Sequence, residues 1–323
     1  MAERILIIVS MMAPLNFLIA ADNSGAERLA RWLNESSNIL VTDSQFFGQF
    51  GGMWPGRDGK LAAEQTWDFV VRNQARRISG RFLEMDRSSY QERLMHQIID
   101  VMVDFHLKQG QRQQLLEKVC PFPGTSRAIF YNIRKYCPEA KIIRLVRDGR
   151  DVLVHHAFSW LTRDAQGTDR YSYFVERRPD FVLRRFFDDH FIRRWADWWS
   201  ETARLGRKLS KLQDPEPLVR LEDLLQNFEP IIATLSNQTG MDFPPLGETD
   251  AKRFLPRFKR QVLRPWRDFF VRRDGEIFQE VAGDVLQALN YENESDWFES
   301  LPIQLDWPIR SRPEDPLNGL PEV

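Results

Sequence analysis

An α/β fold with a central, mostly parallel sheet flanked by helices is what this sequence predicts, and three observations predict it. Short apolar runs recur along the chain, at residues 16 to 21, 38 to 42, 141 to 146 and 218 to 221. The runs alternate with segments of helical periodicity long enough to carry the chain back to the start of a neighbouring parallel strand. Two of the runs, ending near Ala21 and Val146, pass through a short polar turn directly into a helical pattern.

The elements follow in order. Residues 5 to 21 form an uncharged run after Glu3 and Arg4, interrupted by Pro14 and Asn16. The run fits either two short buried strands or a leader ahead of a strand, and its length borders on that of a signal anchor. Its second half leads through a glycine turn into an amphipathic helix at residues 25 to 34, and a strand follows at 38 to 42. This is a βαβ opening. Residues 51 to 60 form a Gly-rich loop, and residues 62 to 116 read as mainly helical.

A proline turn at 121 to 124 precedes a helix ending near Cys137-Pro138, and Lys141 to Val146 is the next strand. The helix after it carries His155 and His156. Residues 164 to 180 are polar and read as a loop, and 181 to 206 alternates aromatic and charged residues over a helical length. A last strand at 218 to 221, a helix at 222 to 238 and a helix at 274 to 289 complete one domain over residues 1 to 301. The helical region 51 to 115 stands beside the sheet in this reading. From Pro302 to Val323 the proline-rich tail runs extended.

The net charge of −1 gives no global reason to expect nucleic acid, so any anion site is local. Only nine of the 45 basic residues are Lys, and the excess of Arg favours fork-shaped recognition of phosphate, sulfate or carboxylate. Cys120 and Cys137 are the only cysteines, which excludes a disulfide framework and points to a cytoplasmic, reducing setting. No metal site of ordinary Cys/His spacing is present, and no G-x-x-x-x-G-K-[ST] occurs to mark a phosphate loop of kinase type. The aromatic and Arg-rich stretch 184 to 199 interleaves Asp188, Asp189 and Asp197, as an amphipathic helix with its own ion pairs would.

In an open parallel sheet, ligands bind beyond the carboxyl ends of the strands. Arg147 ends its strand there and offers two parallel N–H donors suited to a phosphate. Gly149 loosens the turn, and Asp151 can cap the following helix. The segment Arg147-Asp148-Gly149-Arg150-Asp151-Val152 resembles the 3′-phosphate motif of the sulfotransferases, approximately R-D-G-R-D-V-x-x-S, with the serine position falling on His155. Residues 219 to 225, reading VRLEDLL, resemble the family's R-Y-E-D-L-L strand end, with leucine at 221 where tyrosine often lies beside the adenine. Trp266 with residues 280 to 291 resembles its C-terminal tryptophan and helix, and Glu117-Lys118 ahead of Pro121 resembles its E-K-x-P segment. The matches occur in the family's order.

The resemblance implies a P-loop-like sulfotransferase fold and transfer of a sulfuryl group from 3′-phosphoadenosine 5′-phosphosulfate to a hydroxyl or amine of a small-molecule or carbohydrate acceptor, without a metal. In that reading Arg147 and His155 hold the 3′-phosphate. The family's phosphosulfate loop, about G-x-P-R-S-G-T-T-L-L, falls on residues 20 to 29. Ser24 and Gly25 survive and serve the 5′ side, Asn23 stands where the cation would be, and Lys118 compensates for it. Asp43 is the first candidate for the base and His106 the second.

Ser24 with Glu27 three residues on also reads as a capping box, which would occupy the helix amides that otherwise hold a phosphate. Asp22 and Glu27 repel one. The altered turn therefore equally fits a catalytically degenerate relative that binds a nucleotide, a carbohydrate or a protein.

Overall fold

The computed structural model describes residues 15–43, 87–121, 123–163, 185–209, 217–245, 247 and 266–305. Five strands form one sheet: β1 (Leu15–Ala20), β2 (Ile39–Thr42), β3 (Gln114–Val119), β4 (Ile142–Val146) and β5 (Leu218–Arg220). They lie in the order β2-β3-β1-β4-β5, and every pairing is parallel. This is the predicted fold class, and the sheet is consistent with the P-loop-like fold that the motifs imply. The first half of the apolar run at 5 to 21, most of the region 51 to 115, and the tail beyond residue 305 lie outside the described residues.

One strand was read wrongly from the sequence. Residues 114 to 116 were assigned to a helical region, yet Gln114–Val119 is β3, beside the central β1. Charge disguised it: Glu117 and Lys118 interrupt the apolar pattern, and both are buried. Each face of β3 thus carries one charge that needs a partner in the fold. Leu116 and Lys118 share the face on which Leu18 packs, whereas Leu115 lies on the opposite face with Phe17.

The sheet is covered on both sides. Helix α1 (Ala26–Ser36) and two later helices, α6 (Leu221–Gln226) and α7 (Phe228–Thr239), bury Leu29, Leu33, Leu224 and Ile232 against one face. Helices α2 (Arg87–Gly110) and α3 (Ser126–Tyr136) cover the other, with Ile99, Val103, Phe130 and Ile133 on Phe17 and Leu115. A third cluster joins α4 (Gly149–Arg163), α5 (Asp189–Leu209) and α8 (Arg272–Ala288), with Trp199, Phe270 and Phe278 at its centre. The single helix expected at 222 to 238 is two, because Asn227 leaves helical geometry at φ −131° and ψ 54° and its N–H ends α6 on the carbonyl of Asp223.

Strand β2 lies at one end of the described sheet. Asn34 of α1 meets it as another strand would, its Oδ1 accepting the N–H of Val41 at 2.7 Å and its Nδ2 donating to the Val41 carbonyl at 2.9 Å. That pairing satisfies part of an otherwise open edge. Of the ion pairs expected within residues 184 to 199, Arg185–Asp189 forms, whereas Arg273 on Asp189 and Arg193 on Glu280 join α5 to α8. Among the described residues, no helix is long and apolar enough to cross a membrane.

Candidate functional site

Parallel strands bring all their exits to one edge, and the two turns singled out in the sequence meet there because β1 and β4 are neighbours. The first turn, residues 21 to 25, reverses tightly. Asn23 has φ 64° and Gly25 φ 87°, both left-handed. The N–H of Ser24 donates to the Ala21 carbonyl at 3.1 Å.

Helix α1 then starts at Ala26 with Gly25 as its N-cap and no side-chain cap. The predicted capping box between Ser24 and Glu27 therefore does not form. The left-handed backbone sets Gly25 as the cap, and the Glu27 carboxylate bonds the Lys118 ammonium, a charged donor stronger than an amide. The Ser24 hydroxyl is buried without a hydrogen-bond partner among the described residues.

Arg147 joins the turns. It is buried at the end of β4, and its Nη1 donates to the Asn23 carbonyl at 3.0 Å. Asp151 stands one helical turn on, with Oδ2 3.8 Å from Arg147 Nη2 and Oδ1 accepting the Trp266 N–H at 3.1 Å. Burial pushes the Asp151 carboxyl up to about 8 against the field of Arg147, with Asp148 and Glu222 adding to the rise. Burial also raises Glu222, although its Oε1 accepts the Asp148 N–H at 3.0 Å and its Oε2 the Tyr291 hydroxyl at 2.9 Å.

The glycine of this turn has a different reason from the one expected. Gly149 is helical and not at positive φ, so conformational freedom does not select it. A Cβ there would lie 2.6 Å from Cε2 and Cε3 of Trp199 and closer still to Cδ2. The Trp199 indole occupies that space and donates from Nε1 to the Arg147 carbonyl at 3.1 Å. Arg150 holds the turn from its other side. Its guanidinium meets Asp148 at 2.7 Å and Glu292 at 3.0 Å, and it lies over the rings of Trp266 and Trp297, 4.0 and 4.6 Å from their centroids.

Lys118 reaches the same edge from β3. Its Nζ bonds Glu27 and lies 3.2 Å from Asp43 Oδ2, two residues that are themselves exposed. Burial works against the ammonium, but the Glu27 bond and the charges around it outweigh burial and raise its pKa. These residues line a cleft of about 330 Å³ with Arg31, Asn34, Glu35 and Thr42. Cys120 lies nearby, its thiol pushed up to about 12 by burial. Cys120 and Cys137 are free thiols.

The structure thus brings Asn23, Ser24, Gly25, Arg147, Lys118 and Asp43 to one edge. His106 is not among them. It belongs to the last turns of α2, which lead through residues 111 to 113 into the start of β3, at the opposite edge. His155 is buried in α4. Its neighbour His156 is the one that faces the first turn, with Nδ1 3.9 Å from Asp22 Oδ2 and its ring 3.6 Å from that of Trp195. Leu221 is fully buried at the start of α6. Glu222 and Tyr291 were missed as neighbours of the Arg147 turn, although both lie inside segments that resemble the family. Among the described residues no group of three or more His, Cys, Asp or Glu is placed to hold a metal ion.

No protein-family model matches the chain, and no curated protein matches it. Solved structures similar to it include sulfotransferases. The sulfotransferase domain from the curacin biosynthetic pathway is 13% identical, covering 88% of this chain and 100% of its own, with a TM-score of 0.45. The sulfotransferase domain from the Synechococcus PCC 7002 olefin synthase is 15% identical over 88% and 98%, at 0.47. Mouse sulfotransferase SULT7A1, solved in complex with PAP, is 12% identical over 87% and 89%, at 0.45.

Proposed function

We propose that this chain transfers a sulfuryl group from 3′-phosphoadenosine 5′-phosphosulfate to a hydroxyl or amine acceptor, a small molecule or a carbohydrate. The observation that carries the reading is the junction of the two turns: Arg147, from the segment resembling the 3′-phosphate motif, bonds Asn23 in the segment that falls on the phosphosulfate loop. One donor molecule spanning both turns would connect its two phosphates in the same way.

The residues present fit such a donor in part. The uncapped start of α1, the unsatisfied Ser24 hydroxyl and the buried Lys118 ammonium suit the 5′ side. Arg147, with His155 in the following helix, serves the 3′-phosphate. In transfer, the acceptor oxygen or nitrogen forms its bond to sulfur as the bond from sulfur to the 5′-phosphate oxygen breaks. Positive donors compensate charge on the departing phosphate, and Asp43 takes the acceptor proton.

A second reading, a nucleotide-, carbohydrate- or protein-binding relative without turnover, is favoured by one specific arrangement. Lys118, the cation assigned to the 5′ side, already has protein partners in Glu27 and Asp43.

Calorimetric titration with 3′-phosphoadenosine 5′-phosphate tests the donor site. The expected result is binding that weakens at least about tenfold in Arg147→Ala, the scale of one charge-assisted contact. Circular dichroism would verify that the variant is folded, and Arg147→Lys would show whether the fork geometry matters. Absence of binding at millimolar nucleotide, by wild type and variants alike, would sink the donor site. Binding with no turnover of any acceptor would support the second reading.

A further inference from the structure

We infer that Glu27 is an internal anion that competes with the donor's 5′ group, so that this one side chain sets how tightly the site takes a phosphosulfate or phosphate. The inference rests on the donor reading above and concerns its 5′ side alone.

Three observations lead to it. Lys118 is 2% exposed, and its ammonium meets Glu27 and Asp43 at the edge where the strands end. A buried ammonium requires an anion, and the fold supplies two: Glu27, and Asp43 with its Oδ2 at 3.2 Å. The Glu27 side chain is 73% exposed. Its carboxylate is therefore not held by packing, and among the described residues its contact with Lys118 is what keeps it on the site.

Glu27 also belongs to the first turn of α1, where the helix field favours negative charge and where no side chain caps the amides. A carboxylate joining a helix start to a buried ammonium occupies the electrostatic position of a bound phosphate. The unsatisfied, buried hydroxyl of Ser24 lies just before the helix N-cap.

The consequence is competition. A phosphate entering this turn meets the negative charges of Asp22, Glu27 and Asp43 and a cation already in use. If Glu27 turns outward, its exposed stem costs little to move, and Lys118 becomes available to the incoming anion. The chain would then bind its donor weakly at rest while keeping the parts needed to hold it.

The test uses the full chain and 3′-phosphoadenosine 5′-phosphate, with adenosine 3′-monophosphate as a probe lacking the 5′ group. Glu27→Ala should bind the bisphosphate about tenfold more tightly than wild type, the scale of one recovered charge-assisted bond. Glu27→Gln, which keeps the shape and removes the charge, should gain a smaller part. Neither change should alter affinity for the monophosphate. Lys118→Met in the Glu27→Ala background should remove the gain. If that double variant fails to fold, Asp43→Asn with Glu27→Ala should increase it instead.

Tightening in Glu27→Ala, even where wild type shows no measurable binding, would support the inference. Equal bisphosphate affinity in wild type and Glu27→Ala would overturn it and leave the donor reading intact. Tightening toward both probes alike would also overturn it, because the effect would not be at the 5′ side. Failure of every variant to bind would overturn both.

Discussion

Replacing Gly149 with Ala should unfold the chain at lower denaturant because of a single tryptophan. The added methyl would lie 2.6 Å from two atoms of the Trp199 ring and closer to a third, so the indole must move or α4 must tilt. Overpacking of this kind costs about 1 to 3 kcal/mol. Movement of the ring also breaks the bond from Trp199 Nε1 to the Arg147 carbonyl, worth about 1 kcal/mol net. Alanine regains up to about 1 kcal/mol of helix propensity over glycine. The balance is a loss of about 1 to 3 kcal/mol.

Urea unfolding followed by far-ultraviolet circular dichroism measures it as a lower midpoint at unchanged slope. Trp199→Phe in the Gly149→Ala background should recover part of the loss, with a coupling of at least about 0.5 kcal/mol. A Gly149→Ala protein as stable as wild type would refute the steric explanation. Neither the ring nor the backbone conformation would then require glycine at this position.

Two further outcomes follow from the same turn. Asp151, with its carboxyl pushed up to about 8, binds a proton more tightly folded than unfolded. The stability it adds is complete below about pH 4 and is lost as pH rises toward 8, at up to about 1.4 kcal/mol per pH unit. Asp151→Asn keeps the acceptor for the Trp266 N–H and should remove that part of the slope; parallel pH profiles for the two proteins would contradict the assignment. Arg150→Met should destabilise by about 3 to 5 kcal/mol, because Asp148 and Glu292 would keep their charges without the guanidinium between them. Thermal unfolding measures this, and a loss below about 1 kcal/mol would mean that water replaces the arginine.

Much of the sheet was legible because β1, β2, β4 and β5 are apolar runs, and local pattern suffices for a strand buried on both faces. Strand β3 was not, since Glu117 and Lys118 look like a solvated helix until the partner of Lys118 is known. That partner, Glu27, is 91 residues away in sequence. The same pair explains the failed capping box: Ser24 and Glu27 have the right spacing, but spacing does not reveal that a buried ammonium lies within reach. Arg147 was readable as a strand-end arginine. Its attachment to Asn23 was not, because it depends on β1 and β4 being adjacent. Gly149 shows the limit from the other side, since the residue was noticed and its cause, Trp199, lies 50 positions along the chain.

Arg150 lends the turn a place in time as well as in space. Its bond to Glu292 spans 142 residues, and its second ring contact is with Trp297. During synthesis, β1 through β4 can be complete while Arg150 and Asp148 still await everything through residue 297. Closing so long a loop is a late event. The edge that holds Arg147 therefore matures only as the C-terminal segment docks, and a nascent chain halted before that point would have a sheet and no finished site.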